Sequence, residues 1–199
     1  MRELRENSPE EKIRELLCQN APVLTGLKPS AIINVSEREY SLLCRLFTGS
    51  SLKLRPLFFD GRVSLILYRE EKLRALLRDC GRRRFLVGIE RCYEELDMES
   101  VLCTFRQRFR AFKERRIPFP HELGILLGYP PEDVRSYIEK QGNDALVTGY
   151  WKVYHDLPSA LRTFQAYDVS IQSFRLMLQH GVPIERLLDI CPERSVEVA

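Results

Sequence analysis

The segment 52–68 constrains the fold more than any other part of the sequence. Two stretches rich in apolar residues, 52–59 and 62–68, flank Asp60 and Gly61. An Asp-Gly pair between two such stretches is a strong signal for a two-residue turn. Apolar residues alternate with other residues in the second stretch. The pattern therefore predicts an antiparallel β-hairpin with one apolar face.

The patterns on both sides of this hairpin are mostly helical. Ser8 with Glu11, and Ser36 with Glu39, have the spacing of capping boxes that begin helices. From Met98 onward apolar residues recur every three or four positions, which is typical of a helix with one buried face. Further helices are expected at about 69–79 (ended by Gly81), 121–127, 131–141, 158–180 (with Leu161 in its buried stripe) and 184–190. Residues 21–29 are expected to form a loop, and 82–96 fit either a strand or a helix.

This order of elements predicts an α+β fold. A small, mainly antiparallel sheet, made of the hairpin 52–68 and strands near 31–35 and 146–154, would pack against several helices. The 199 residues suit one domain, 1–199, with a helical C-terminal part.

Composition and charge indicate the general class of protein. The chain is 44% hydrophobic and 30% charged, which is typical of a folded globular protein. Its net charge of +3 is too small to indicate nucleic-acid binding, and the arginine clusters at 82–84 and 106–116 are typical of solvated surface. The charge therefore counts against a nucleic-acid partner.

The six cysteines and the N-terminus bear on the compartment. No two cysteines have CxxC spacing, and most stand among apolar residues. We expect buried, reduced thiols, a cytoplasmic location and no metal site. No apolar run is long enough to span a bilayer, and the charged N-terminus lacks the apolar core of a signal peptide. No membrane partner is expected.

The densest group of special residues is the corner at 118–131, where prolines and glycines surround His121 and Glu122. His121 would lie in the first turn of a helix, where the pKa of an imidazole falls. A neutral imidazole can accept a proton or bind iron. One hypothesis is thus a catalytic or ligand site at His121 and Glu122, and the alternative is a capping histidine beside a tight helical corner.

A second candidate is the strand expected near 146–154. In a strand, Tyr150, Lys152 and Tyr154 share one face. Two tyrosines around a lysine can bind a planar or anionic ligand, although such a row is also common on a half-buried sheet. Thr25 and Lys28 are candidate anion-binding residues, without any Gly-rich phosphate motif to support them.

The leading hypothesis combines these segments. A pocket would form where the loop 21–30, the corner 118–131 with Tyr129, and the strand 149–155 converge. It would bind a small molecule or a redox cofactor of the haem or flavin type, held by His121, Tyr150 and Lys152. The protein would then be a cytoplasmic binding or accessory protein, with a small molecule or a redox protein as its partner.

Two alternatives remain open. The first is an enzyme in which His121 is the general base and Glu122 or Tyr150 its partner. The second is a DNA-binding regulator, because Gly124, Gly128 and Val134 have the spacing of a helix-turn-helix over 123–138. Two prolines and two acids begin the second helix, and acids there repel phosphate, which counts against DNA binding.

Three strings carry a resemblance to a known family: Ala21–Pro29, Phe119–Val134 and Gly149–Tyr154. They resemble the bacterial family called domain of unknown function 3793, over about residues 15–180. The resemblance implies a bacterial protein of a family without an assigned activity. It also implies a link to flavodoxin and ferrous-iron uptake genes, and so to iron or redox metabolism. It assigns no role to the three strings.

Overall fold

The computed structural model describes residues 8–88, 92–93 and 95–188. The α+β class is confirmed. The helices of the described part are α1 Pro9–Gln19, α2 Ala21–Leu24, α3 Glu37–Leu46, α4 Glu70–Arg78, α5 Cys80–Gly88, α6 Met98–Lys113, α7 Leu123–Leu126, α8 Pro131–Glu139, α9 Leu157–Gln179 and α10 Ile184–Leu188. Its strands are β1 Ser30–Val35, β2 Leu52–Phe59, β3 Val63–Arg69, β4 Val147–Thr148 and β5 Lys152–Val153.

The main sheet has three antiparallel strands in the order β1-β3-β2. The predicted hairpin is β2 and β3, and the predicted strand at 31–35 is β1. Phe59 pairs with Val63, so the hairpin loop has three residues, 60–62, and the expected two-residue turn is wrong. Gly61 adopts φ +62°, a left-handed conformation that glycine reaches without strain.

The central strand β3 is buried on both faces. Val63, Leu65 and Leu67 join the apolar cluster that includes side chains of α1, α3 and α9. Ile66 and Tyr68 point to the other side and join the cluster that includes α4, α6 and α7. The expectation of a single apolar face is therefore wrong, because helices cover both sides of this sheet.

Local sequence signals explain most helix starts. The capping boxes at Ser8 and Ser36 form, with each serine accepting a hydrogen bond from the glutamate N–H three residues on. The Met98 pattern is α6, whose apolar stripe is mostly buried. These predictions are confirmed.

Three predictions about the extent and the buried faces of helices are wrong. Residues 21–24, expected in a loop, form the short buried helix α2. Gly81 does not end a helix, since α5 runs through it. Leu161 lies on the exposed side of α9, because the buried stripe of that helix passes through Ala160 and Phe164 instead.

A buried arginine fixes α2 to the main sheet. Arg69 is 1% exposed, and its Nε donates a 3.1 Å hydrogen bond to the carbonyl of Val23. Its guanidinium also donates to the carbonyl of Leu24 and, over 2.5 Å, to Ser51 Oγ. Arg69 thus gives the carbonyl of Leu24 a partner and adds a second one to the carbonyl of Val23, which also accepts from the Gly26 N–H.

The strand expected at 146–154 is instead a separate hairpin, because the chain reverses at 149–151. Val147 pairs with Val153, and Thr148 with Lys152, in a two-stranded sheet apart from the main one. Val153 packs on Ala160 and Phe164 of α9 in a small cluster of its own.

The cysteines of the described part differ in their burial. Cys18 is buried, but Cys44, Cys80 and Cys103 are exposed, so the expectation of buried cysteines is wrong for these three. All five cysteines of the described part are free, and Cys191 lies outside it.

No helix built from the described residues is long and apolar enough to cross a membrane.

Candidate functional site

The corner before α8, α8 itself and the β4–β5 hairpin surround a cavity of about 280 Å³. We call it the aromatic cleft, because a phenylalanine, two tyrosines and a tryptophan contribute to its walls. Its lining residues are Phe119, His121, Leu123, Gly124, Leu127, Tyr129, Asp133, Val134, Tyr137, Thr148, Gly149, Trp151 and Lys152.

A glycine lets α7 and α8 approach closely at the cleft. A Cβ atom on Gly124 would stand 2.8 Å from Cγ2 of Val134, closer than van der Waals contact allows. A glycine at 124 therefore brings the two helices together without a clash.

The corner is tied to α6 by a buried ion pair. Nε of Arg108 donates to Oε1 of Glu122 over 2.5 Å, and the two side chains are 14% and 1% exposed. Tyr93 donates a 3.1 Å hydrogen bond to the same oxygen. Burial, together with the nearby Glu122, raises the pKa of Tyr93 far above its usual range. Glu122 is thus an anchor of the fold, and it does not line the cleft.

The hairpin is tied to α8 by a second buried carboxylate. Oδ2 of Asp133 accepts a 2.8 Å hydrogen bond from Nε1 of Trp151. Oδ1 accepts from the backbone N–H groups of Tyr154 and His155, at 2.9 and 3.0 Å. One side chain in the first turn of α8 therefore positions the indole of Trp151 in the cleft wall.

Ring contacts hold the same wall in place. The ring of Tyr129 stacks on Trp151, with centroids 5.3 Å apart, and its hydroxyl donates to the carbonyl of Tyr150 over 3.0 Å. Burial raises the pKa of Tyr129 to about 12, so the hydroxyl keeps its proton. Phe164 packs edge-on against Trp151 and lies where a Cβ atom on Gly149 would stand.

His121 is the imidazole of the cleft. Its ring lies 5.3 Å from the ring of Phe119 and 5.6 Å from that of Tyr137. Burial lowers the pKa of His121 below 6.5, and Glu122 opposes this effect. The direction predicted from the sequence is the same, but the reason was wrong: His121 lies in the turn before α7 and not in the first turn of a helix, and the main cause is burial. Within the described residues its ring nitrogens make no hydrogen bond, so they are free for a ligand.

Lys152 is the ammonium group of the cleft. Its Nζ donates a 2.6 Å hydrogen bond to the carbonyl of Gly142, just beyond the end of α8. The same atom lies 5.9 Å from the centre of the Tyr137 ring, in a cation–π contact. Among the described residues Lys152 forms no ion pair with a carboxylate.

The structure brings His121, Tyr129 and Lys152 together in the cleft, and it places the other predicted residues elsewhere. Thr25 bonds to Ser170 Oγ over 3.0 Å, which ties the loop at 25–29 to α9. Lys28 lies over the ring of Tyr129, 5.6 Å from its centre, and burial lowers the pKa of Lys28 to about 8. The loop 21–30 therefore approaches the corner as expected, but neither Thr25 nor Lys28 lines the cleft.

Tyr150 and Tyr154 do not line the cleft either. The hydroxyl of Tyr150 donates to Oδ1 of Asp168 over 2.7 Å, and its ring packs on Phe164 and Tyr167 of α9. The hydroxyl of Tyr154 is buried and has no hydrogen-bond partner in the described part of the chain. The expected common face of Tyr150 and Lys152 is absent, because the turn at 149–151 separates Tyr150 from the strand that follows.

The structure does not place either predicted partner of His121, Glu122 or Tyr150, in the cleft. The carboxylate of Glu122 is bound by Arg108 and Tyr93, and the hydroxyl of Tyr150 is bound by Asp168. Neither group lines the cleft beside His121. A general base at His121 would need a partner other than the two predicted from the sequence.

The helix-turn-helix hypothesis is matched only in part. Gly124 and Val134 do pack together, as that motif requires. However, α7 has four residues, and Asp133 in the first turn of α8 binds the β4–β5 segment. The chain itself therefore covers the end of α8 that would contact bases.

Sequence reasoning did not propose several side chains that line the cleft, among them Asp133, Trp151, Phe119 and Tyr137. Asp133 follows two prolines, so it looks like any acid at a helix start. The signal available for Trp151 was that it is the only tryptophan of the chain and stands in a tyrosine-rich string.

Metal ligands do not gather in the described residues. Histidine, cysteine, aspartate and glutamate side chains form no group of three or more there that could hold an ion. The class defined so far is an α+β protein with a small aromatic cleft.

Comparison with known proteins then gives the family. The sequence model of the family described as Protein of unknown function (DUF3793) matches residues 16–188. The chain belongs to this family. No curated protein and no solved structure matches it.

Proposed function

We propose that the protein is a cytoplasmic binding protein for a small planar molecule, held in the aromatic cleft. The observation that carries this proposal is a cavity of about 280 Å³ bounded by four aromatic side chains and a free imidazole. Ligand sites are usually concave and mostly apolar, with a few polar groups that fix orientation. The cleft has this composition.

The size of the cleft limits the ligand. Sites for drug-sized molecules measure about 300–1,000 Å³, so this cleft lies just below that range. We infer a ligand of one or two fused rings, rather than a complete haem or flavin. The link to iron or redox metabolism has its support in the family resemblance and not in the residues of the cleft.

The rings suit a flat ligand in particular. Tyr129 and Trp151 already stack on one another, and Phe119, His121 and Tyr137 form a second run of ring contacts. Aromatic pairs in stacked or edge-to-face geometry are stabilised by about 0.5–1.5 kcal/mol beyond their buried area. A planar ligand would gain from such contacts, and a rounded molecule of equal volume would not.

A calorimetric titration with naphthol and with adamantanol tests this proposal. We expect saturable binding of naphthol, and binding of adamantanol that is at least tenfold weaker. Phe119→Ala and Tyr137→Ala should each weaken naphthol binding about tenfold. Both side chains are partly exposed, at 41% and 39%, so the fold should tolerate the changes.

Phe59→Ala is the matched control. Phe59 is 54% exposed on β2 and does not line the cleft. Its loss should leave naphthol binding unchanged. Equal affinity for the flat and the rounded probe, or equal weakening by all three variants, would contradict the proposal.

A further inference from the structure

Lys152 is a cation in a mostly apolar cleft, and the described residues offer it no acidic partner. The side chain is half-buried. An ammonium group has three N–H donors, and the carbonyl of Gly142 takes one of them at 2.6 Å. Two N–H groups therefore remain for a ligand.

The one carboxylate of the cleft does not compensate for this charge. Asp133 accepts three hydrogen bonds, from Nε1 of Trp151 and from the backbone N–H groups of Tyr154 and His155. Both of its oxygens are engaged. Asp133 is consequently satisfied within the protein, whereas Lys152 retains donors that face no anion among the described residues.

We propose that the cleft selects planar ligands with an anionic group, of the aromatic carboxylate class, and that Lys152 binds that group. This inference rests on the function proposed above. Hydrogen bonds between an ammonium and a carboxylate are shorter and about twice as strong as neutral ones. Their strength increases where the charged groups are partly removed from water, as the half-buried Lys152 is.

His121 completes the recognition of such a ligand. Its unbound ring nitrogens lie on the same cavity as Lys152. A neutral imidazole carries one donor and one acceptor. The donor can bind the second oxygen of a carboxylate, so that one oxygen faces Lys152 and the other faces His121.

The test is a calorimetric measurement of the affinity for three naphthalene derivatives of nearly equal size. They are naphthoate, naphthamide and naphthylmethylammonium. We expect naphthoate to bind at least tenfold more tightly than naphthamide, and the cation to bind most weakly. The preference should be lost in Lys152→Met, which should bind naphthoate and naphthamide equally. Unchanged naphthamide binding will show that the cleft of this variant is intact.

Lys140→Met is the matched control for charge. Lys140 lies at the end of α8 and contacts the ring of Tyr154, outside the cleft. This variant should keep the preference for naphthoate. A preference that falls equally in both variants would reflect general charge and would overturn the inference.

The outcomes separate this inference from the proposed function. Equal binding of naphthoate and naphthamide by the unmodified protein would overturn the inference and leave a planar-ligand site standing. No binding of any derivative would overturn both. The comparison on the unmodified protein does not depend on how well Lys152→Met folds.

Discussion

Different interactions stabilise the main sheet and the walls of the aromatic cleft. In the sheet, β3 forms backbone hydrogen bonds with a strand on each side and buries all of its residues. In the cleft, the β4–β5 hairpin has two residue pairs and depends on polar contacts with Asp133, Tyr129 and Asp168. A two-stranded hairpin of this length is not stable by itself in water.

This difference determines what each region can do. Buried apolar packing gives the sheet its stability and covers both faces of β3. The hairpin is attached by a few specific hydrogen bonds and by a small apolar cluster with Ala160 and Phe164, and those attachments arrange rings around an open cavity. The predictions below change one region at a time and ask whether the other responds.

The largest effect is expected in the sheet. Leu65 is fully buried in β3, so Leu65→Ala should lower the free energy of unfolding by about 2–5 kcal/mol. Urea denaturation measures the loss. Leu161→Ala, at a 48% exposed position on α9, is the control and should cost less than about 0.5 kcal/mol. Equal losses would show that our assignment of the core is wrong.

The next largest effect concerns the attachment of the corner to α6. Glu122→Gln removes the charge that faces Arg108, and we expect a loss of about 3 kcal/mol in unfolding free energy. Glu70→Gln, in an exposed pair with Arg74, should leave the stability almost unchanged. Wild-type stability of Glu122→Gln would contradict the role of Glu122 as an anchor.

Asp133→Asn should loosen the hairpin and leave the sheet intact. An amide retains one acceptor oxygen but turns its NH₂ group toward an N–H donor, for a cost of about 1–3 kcal/mol. We expect faster hydrogen exchange at the amides of Tyr154 and His155, a red-shifted Trp151 emission, and unchanged exchange in β3.

Glu132→Gln, at the exposed neighbouring acid, should change none of these signals. Protection lost equally throughout the sheet would show that the two regions unfold as one unit.

The smallest effect is a pH dependence from His121. Its pKa in the folded protein lies below 6.5, so the unfolded chain binds more protons between the two values. Stability should therefore fall as the pH drops below 6.5, by about a few tenths of a kcal/mol because the ring is partly solvated. His121→Gln should remove this decrease, and His180→Gln should not.

Local signals made the sheet and most helices predictable. The Asp-Gly turn, the serine caps and the spacing of apolar residues from Met98 act over a few positions, so one sequence suffices to read them. The burial of both faces of β3 was not predictable in this way. It depends on helices that are distant in sequence.

The cleft was predictable only in part. The corner and the 150–155 segment do converge, and His121, Tyr129 and Lys152 do line the cavity. Tyr150 was misplaced, because alternation predicts a shared face only when the strand is continuous. Asp133 was missed, because its partners are backbone N–H groups some twenty residues away, at Tyr154 and His155.

The most direct test of the ligand site is a ¹H–¹⁵N NMR titration of the protein with naphthol. The chain has one tryptophan, so Trp151 gives a single indole signal from an N–H that lies in the cleft wall. We predict that this signal and the amides of Gly124, Thr148 and Gly149 shift together and saturate, while the amides of β3 do not move. Shifts that are absent at Trp151, or that are spread over the main sheet, would contradict a ligand site in the aromatic cleft.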